Sequence, residues 1–241
     1  MLRYLLEPVL HIALLAPFFF LWKEKAGREA LQTLGVLASS YVIYKLLVRL
    51  PYLWPVLDVL PGAWNWEGKL LGVLWVLVVY GLFRHRFRAD DFFTLRQDPQ
   101  HFRSALAAAV GVVVLATVLW YFLGGEAFDL ETLAFQLTLP GLDEEGMFRG
   151  VFLGLLLGTL RERVRGVGNP AVLLSALLFG LMHALQVRKD YSLSWDSFYF
   201  LQTAFGGWVW GWVAWKSRSL LLPVLSHNFS NFFGTLASML K

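Results

Sequence analysis

The sequence predicts an all-α fold, a polytopic bundle of about eight transmembrane helices, and three observations carry the prediction. Of the 241 residues, 57% are hydrophobic and the mean hydropathy is +0.56, above the apolar share of a soluble domain. Uncharged stretches such as Ser104 to Gly125, Gly166 to Val187, Ser197 to Trp215 and Ser219 to Leu240 are long enough to cross a hydrocarbon core of about 30 Å. Many of the eleven tryptophans, among them Trp22, Trp54, Trp64, Trp66, Trp120, Trp195 and Trp215, fall close to the ends of these stretches, where an aromatic belt meets the headgroups.

Helices are expected near residues 3–22, 29–50, 69–83, 103–124, 130–160, 170–187, 198–215 and 219–239. The first reads as a retained span, because Trp22-Lys23-Glu24-Lys25 follows it in place of a small-x-small cleavage site. In the second, Lys45 and Arg49 lie one turn apart and are expected to snorkel to an interface. Pro61 to Glu67 reads as an interfacial loop, and the third span after it is short. The fifth is long enough for an interfacial segment, a break at Pro140-Gly141 and a core helix starting near Asp143. Trp208, Trp210 and Trp212 in the seventh suit packing and belt positions. Without repeats or a soluble domain, the chain divides into N-terminal helices with no assigned chemistry, 1–128, and a functional membrane core, 129–241.

Charge sets an expected orientation. Lys23, Lys25 and Arg28 lie in the first loop; Arg84, Arg86, Arg88, Arg96 and Arg103 lie in or beside the third; Arg161, Arg163 and Arg165 lie in the fifth, and Lys216 and Arg218 in the seventh. The even loops hold only Lys69, Arg188 and Lys189 as cations, and the fourth holds the acids Glu126, Asp129 and Glu131. The positive-inside rule then makes the odd loops cytoplasmic and turns both termini outward. The net charge of +4 is spread over these short loops, so it reads as a topology signal and no nucleic-acid partner is expected. The absence of cysteine excludes disulfides, thiolate catalysis and cysteine-based metal or haem sites.

Ionisable groups inside apolar helices are costly and usually face a bundle interior or a wet cavity. Three such clusters stand out. Asp143-Glu144-Glu145-Gly146-Met147-Phe148-Arg149 reads as the start of a helix, where the dipole favours the acids and Glu145 can pair with Arg149 at i, i+4. Glu144 is left to activate a water. Phe179 and His183 share a face of the sixth span, and His227 and Asn231 lie one turn apart in the last. A carboxylate, two imidazoles and a carboxamide are equipment for hydrolysing an amide without a covalent intermediate: a general base, a proton donor and hydrogen-bond donors for the oxyanion. Gly146, Gly150 and Gly154 would let a neighbouring helix or a substrate approach closely.

At these residues the chain resembles the CPBP family, also called ABI or CAAX-protease type. Glu144-Glu145-x-x-x-Arg149, Phe179-x-x-x-His183 and His227-x-x-x-Asn231 follow its three motifs in order, within about the C-terminal 100 residues. The resemblance implies a glutamic intramembrane endopeptidase without metal or cofactor. In it Glu144 and His183 activate the water, His227 and Asn231 form the oxyanion and positioning pair, and Glu145, Arg149 and Phe179 support them. It implies membrane lipid and a protein or peptide substrate as partners, the substrate being a C-terminal segment that is prenylated or a sorting tail, and a prokaryotic cell membrane as the location. The charge map puts Glu144 and His183 in the outer half of the membrane, which favours an extracytoplasmic tail. The residues alone leave other readings open. These are a zinc protease lacking H-E-x-x-H, a transporter with a Glu/His relay, and a non-catalytic immunity or scaffold relative.

Overall fold

The computed structural model describes residues 2–25, 27–87 and 91–241; Arg88, counted among the loop charges, lies outside them. The chain is a helical bundle, as expected. Helix α1 spans Leu2–Trp22, α2 Gly27–Leu53, α3 Trp66–Phe83 and α4 Phe102–Leu123. Then come α5, Leu130–Glu145, a π-helical segment, Gly146–Leu153, and α6, Gly154–Leu157, in one continuous helical run. Helix α7, Pro170–Ala184, leads into a small hairpin of β1, Leu185–Val187, and β2, Leu193–Trp195; α8, Ser197–Ser217, and α9, Leu221–Met239, complete the chain.

The helix starts have local causes. Asn65, Asp129, Asn169 and Asp196 cap α3, α5, α7 and α8, their side chains accepting backbone N–H groups of the first turn, and Pro170 opens α7 where no N–H is needed. Among the described residues α1, α2, α4 and the run Trp66–Arg86 are long and apolar enough to cross a membrane, while α7 is apolar but shorter. Large apolar side chains such as Leu74, Val110, Val114 and Leu201 are exposed, as the lipid-facing surface of an integral membrane protein requires. Polar and charged groups are instead buried inside, including Glu7, Asp143, Glu145 and Arg149.

The sequence expectation fails in four places, each with a physical reason. Pro140 does not break α5. A proline removes its own N–H and disturbs the bonds around it, but here α9 repairs the backbone: the Asn228 side-chain carbonyl accepts the Gly141 N–H at 2.7 Å, and its amide donates to Thr138 O at 3.0 Å. Gly141 permits this approach, since a Cβ there would lie 2.6 Å from Asn228 Oδ1. Asp143 and Glu144 are therefore not at a helix N-terminus, and Glu144 sits about midway along the run 130–157 instead of at its outer end. The π segment that follows, a form frequent at functional sites, carries Arg149.

The second failure concerns Lys69, a loop charge by sequence, which lies inside α3. Third, Lys45 and Arg49 do not snorkel; both turn inward onto Glu7 of α1, at 3.5 Å and 2.5 Å. Fourth, α7 ends at Ala184, and residues 185–187 pair with β2 in the register Leu185 to Trp195. The Asp196 N–H closes the hairpin onto Ala184 O. Two glycines of the π segment face protein, not a ligand: Gly146 packs on Val76 of α3, and Gly150 on Phe93 and Leu220.

Candidate active site

Glu144 projects from the middle of the helical run into a cavity of about 400 Å³. Each of its oxygens has a distinct surrounding. Oε1 accepts a hydrogen bond from Lys69 Nζ, which also donates to Asp143 Oδ1 at 3.1 Å. Oε2 faces two imidazoles, with His183 Nε2 and His227 Nε2 each 3.8 Å away. The second oxygen of Asp143 accepts from Tyr44 OH of α2 at 2.6 Å. Lys69 is thus clamped between two adjacent carboxylates, and its single charge offsets part of their repulsion.

The far nitrogen of each imidazole is also occupied. His183 Nδ1 lies 2.9 Å from Phe179 O. A carbonyl only accepts, so this nitrogen carries the proton. His227 Nδ1 lies 2.7 Å from Glu145 Oε1 and donates to that carboxylate. In the neutral rings both Nε2 atoms therefore present lone pairs to Glu144 Oε2. Three acceptors converge on one point. At 3.8 Å they are too far apart for direct hydrogen bonds, but the spacing suits one bridging water or a shared proton. The expected role of His227 as an oxyanion donor is sharpened accordingly: with Nδ1 donating to Glu145, its Nε2 donates only in the protonated ring.

Behind His227 the support is fully buried. Glu145 and Arg149, both 0% exposed, pair at 3.1 Å, and Arg149 Nη2 donates to Gly207 O of α8 at 2.9 Å. The guanidinium lies 4.6 Å from the centre of the Phe179 ring, a cation–π contact. Trp210 of α8 stacks on His227, with centroids 4.0 Å apart and planes at 8°. That stack and the Glu145 bond fix the ring in both tilt and rotation.

Glu144, Phe179, His183, His227 and Asn231 all line the one cavity, joined there by Lys69, Tyr199 and Trp210. Of the residues singled out by sequence, Glu145 and Arg149 stand behind this wall and not in it. Lys69, Asp143, Tyr44 and Trp210 were missed as partners of the site. For Lys69 a signal existed: a lone cation at the edge of an apolar stretch needs a counter-charge, and Asp143-Glu144 is a double acid inside another. Nothing in the sequence pairs Tyr44 or Trp210 with it.

Residues 126–233 match the model of the Rce1-like family, type II CAAX prenyl endopeptidase. Over this segment the chain is similar to the CAAX-protease (CPBP) family. No curated protein and no solved structure matches it. CAAX-type proteases form a peptidase family, and the matched segment runs from just before α5 into α9, so it contains all three motifs. Lys69 and Tyr44, which hold Asp143 and Glu144 from α3 and α2, come from helices ahead of the CAAX-protease match.

Proposed function

We propose that this chain is a glutamic intramembrane endopeptidase that cleaves a peptide bond near the C-terminus of a membrane-associated or prenylated protein. Glu144 deprotonates a water held between its Oε2 and the Nε2 atoms of His183 and His227. That water attacks the scissile carbonyl, and no covalent intermediate forms. The proton passes to the leaving amine through His183, whose Nε2 faces the cavity. His227 and Asn231, one turn apart, form the oxyanion and positioning pair. Lys69 holds Glu144 in place, and Glu145 with Arg149 sets the His227 ring.

The observation that carries this reading is the convergence of Glu144 Oε2 with two imidazole Nε2 atoms, each at 3.8 Å, on the wall of a 400 Å³ cavity. A merely structural carboxylate would be expected to bond these imidazoles directly, as Glu145 bonds His227 at 2.7 Å. The test compares processing of candidate substrates by the wild type with Glu144→Ala, His183→Ala and His227→Ala at matched membrane abundance. Loss of cleavage in all three is expected, by a factor of about 10² or more. Cleavage that persists in all three rejects the mechanism. We further propose, on the loop charges, that the scissile segment enters from the extracytoplasmic side. Reporter fusions that place residues 124–129 in the cytoplasm reject this.

A further inference from the structure

Glu144, His183 and Lys69 line not one cavity but two. Besides the large cleft, they border a smaller one of about 160 Å³ on the side of α2, whose wall also includes Tyr44, Lys45, Val48, Arg49 and Met182. Three cations, Lys45, Arg49 and Lys69, line it with Glu144, and Lys69 is taken up by Asp143 and Glu144. Glu7 Oε1 is shared by Lys45 at 3.5 Å and Arg49 at 2.5 Å, while Glu7 Oε2 already accepts the Val187 N–H at 3.2 Å. One carboxylate thus faces two cations. Arg49 Nη1 is buried and has no hydrogen-bond partner among the described residues, and Lys45, 9% exposed, has only the long contact to Glu7. A buried guanidinium N–H without an acceptor is costly, and an anion entering the cavity relieves that cost.

We propose that this small cavity binds the free C-terminal carboxylate of the peptide substrate, with Arg49 and Lys45 as its recognition pair. The proposal rests on the protease reading above and deepens it. The chain of the substrate lies in the large cleft, the scissile bond crosses the Glu144–His183 divide, and the fragment released lies in the small cavity with its carboxylate on Arg49. Arg49 and Lys45 touch the substrate terminus and not the reacting atoms. They are specificity residues, and they give α1 and α2 a part in the site.

The experiment uses the full chain in vesicles of phosphatidylcholine and a library of S-farnesyl peptides with random last three residues, prepared as free acids and as C-terminal amides, with products read by mass spectrometry. The wild type is expected to favour the acids in kcat/KM by at least about tenfold. Arg49→Gln, which leaves the Lys45–Glu7 pair intact, is expected to bring the ratio towards one, and Arg49→Lys to restore part of it. Equal cleavage of acids and amides by the wild type overturns this inference alone and leaves the protease reading standing; this arm needs no variant to fold. An acid preference that survives in Arg49→Gln overturns it as well. Rates that follow added phosphatidylglycerol and ignore the carboxylate assign the cavity to a lipid phosphate, with the same result. If no peptide of either kind is cleaved, the reading of the substrate as a prenylated C-terminal peptide fails and this inference falls with it.

Discussion

Replacing Arg149 with methionine tests the buried relay that sets His227. Methionine fills similar space but removes the 3.1 Å ion pair to Glu145, the 2.9 Å bond to Gly207 O and the cation over Phe179. Glu145, 0% exposed, is then left as a buried carboxylate with only His227 Nδ1 to meet it. Breaking a buried pair in this way costs about 3–5 kcal/mol, most of it the stranded charge and not the lost attraction. The double variant Arg149→Met/Glu145→Gln removes that charge as well and is expected to recover a sizeable part of the loss. Reversible unfolding in mixed micelles, followed for the wild type, both single variants and the double, gives the coupling energy directly. A loss below about 1 kcal/mol for Arg149→Met, the value of an exposed pair, would refute the claim that this charge is held in a dry interior. Additive single losses would refute the coupling.

Other outcomes follow from the same contacts. Lys69→Met is expected to lower cleavage by about 10²-fold or more, since it leaves Asp143 and Glu144 adjacent and unneutralised; Lys69→Arg keeps the charge and should retain more activity, both measured at matched abundance. Asn228→Leu strands the Gly141 N–H beside Pro140 and is expected to cost about 1–3 kcal/mol in the same unfolding assay, with faster amide exchange around Gly141. Gly180→Val puts a Cβ 2.8 Å from that of Ala204 and is expected to force α7 and α8 apart at a cost of about 1–3 kcal/mol.

Much of the candidate site was legible because its residues violate the composition around them. An ionisable side chain in an apolar helix needs a reason, so Glu144, Glu145, Arg149, His183, His227 and Asn231 could be picked out one by one. The Glu145–Arg149 pair followed from helical spacing alone and forms as expected. Lys69, Lys45 and Arg49 were read as interface charges because a cation close to the end of a span has two destinations, the headgroups or a buried acid. Sequence distance does not say which. The acids concerned, Asp143, Glu144 and Glu7, lie 74, 75 and, from Arg49, 42 residues away along the chain.

By itself, then, the sequence determined that the chain is an all-α membrane bundle, where most of its helices lie, and which polar residues carry the motifs of a CAAX-type protease, because hydropathy and i, i+4 spacing are local properties. Only the tertiary structure decided that Pro140 leaves α5 unbroken, that Lys69 clamps Glu144, that both imidazoles turn their Nε2 atoms to one oxygen, and that a second, cationic cavity lies beyond it. Each of these depends on a side chain from a distant helix satisfying a backbone or charged group that has no local partner. That choice is made by packing, which no window along the chain contains.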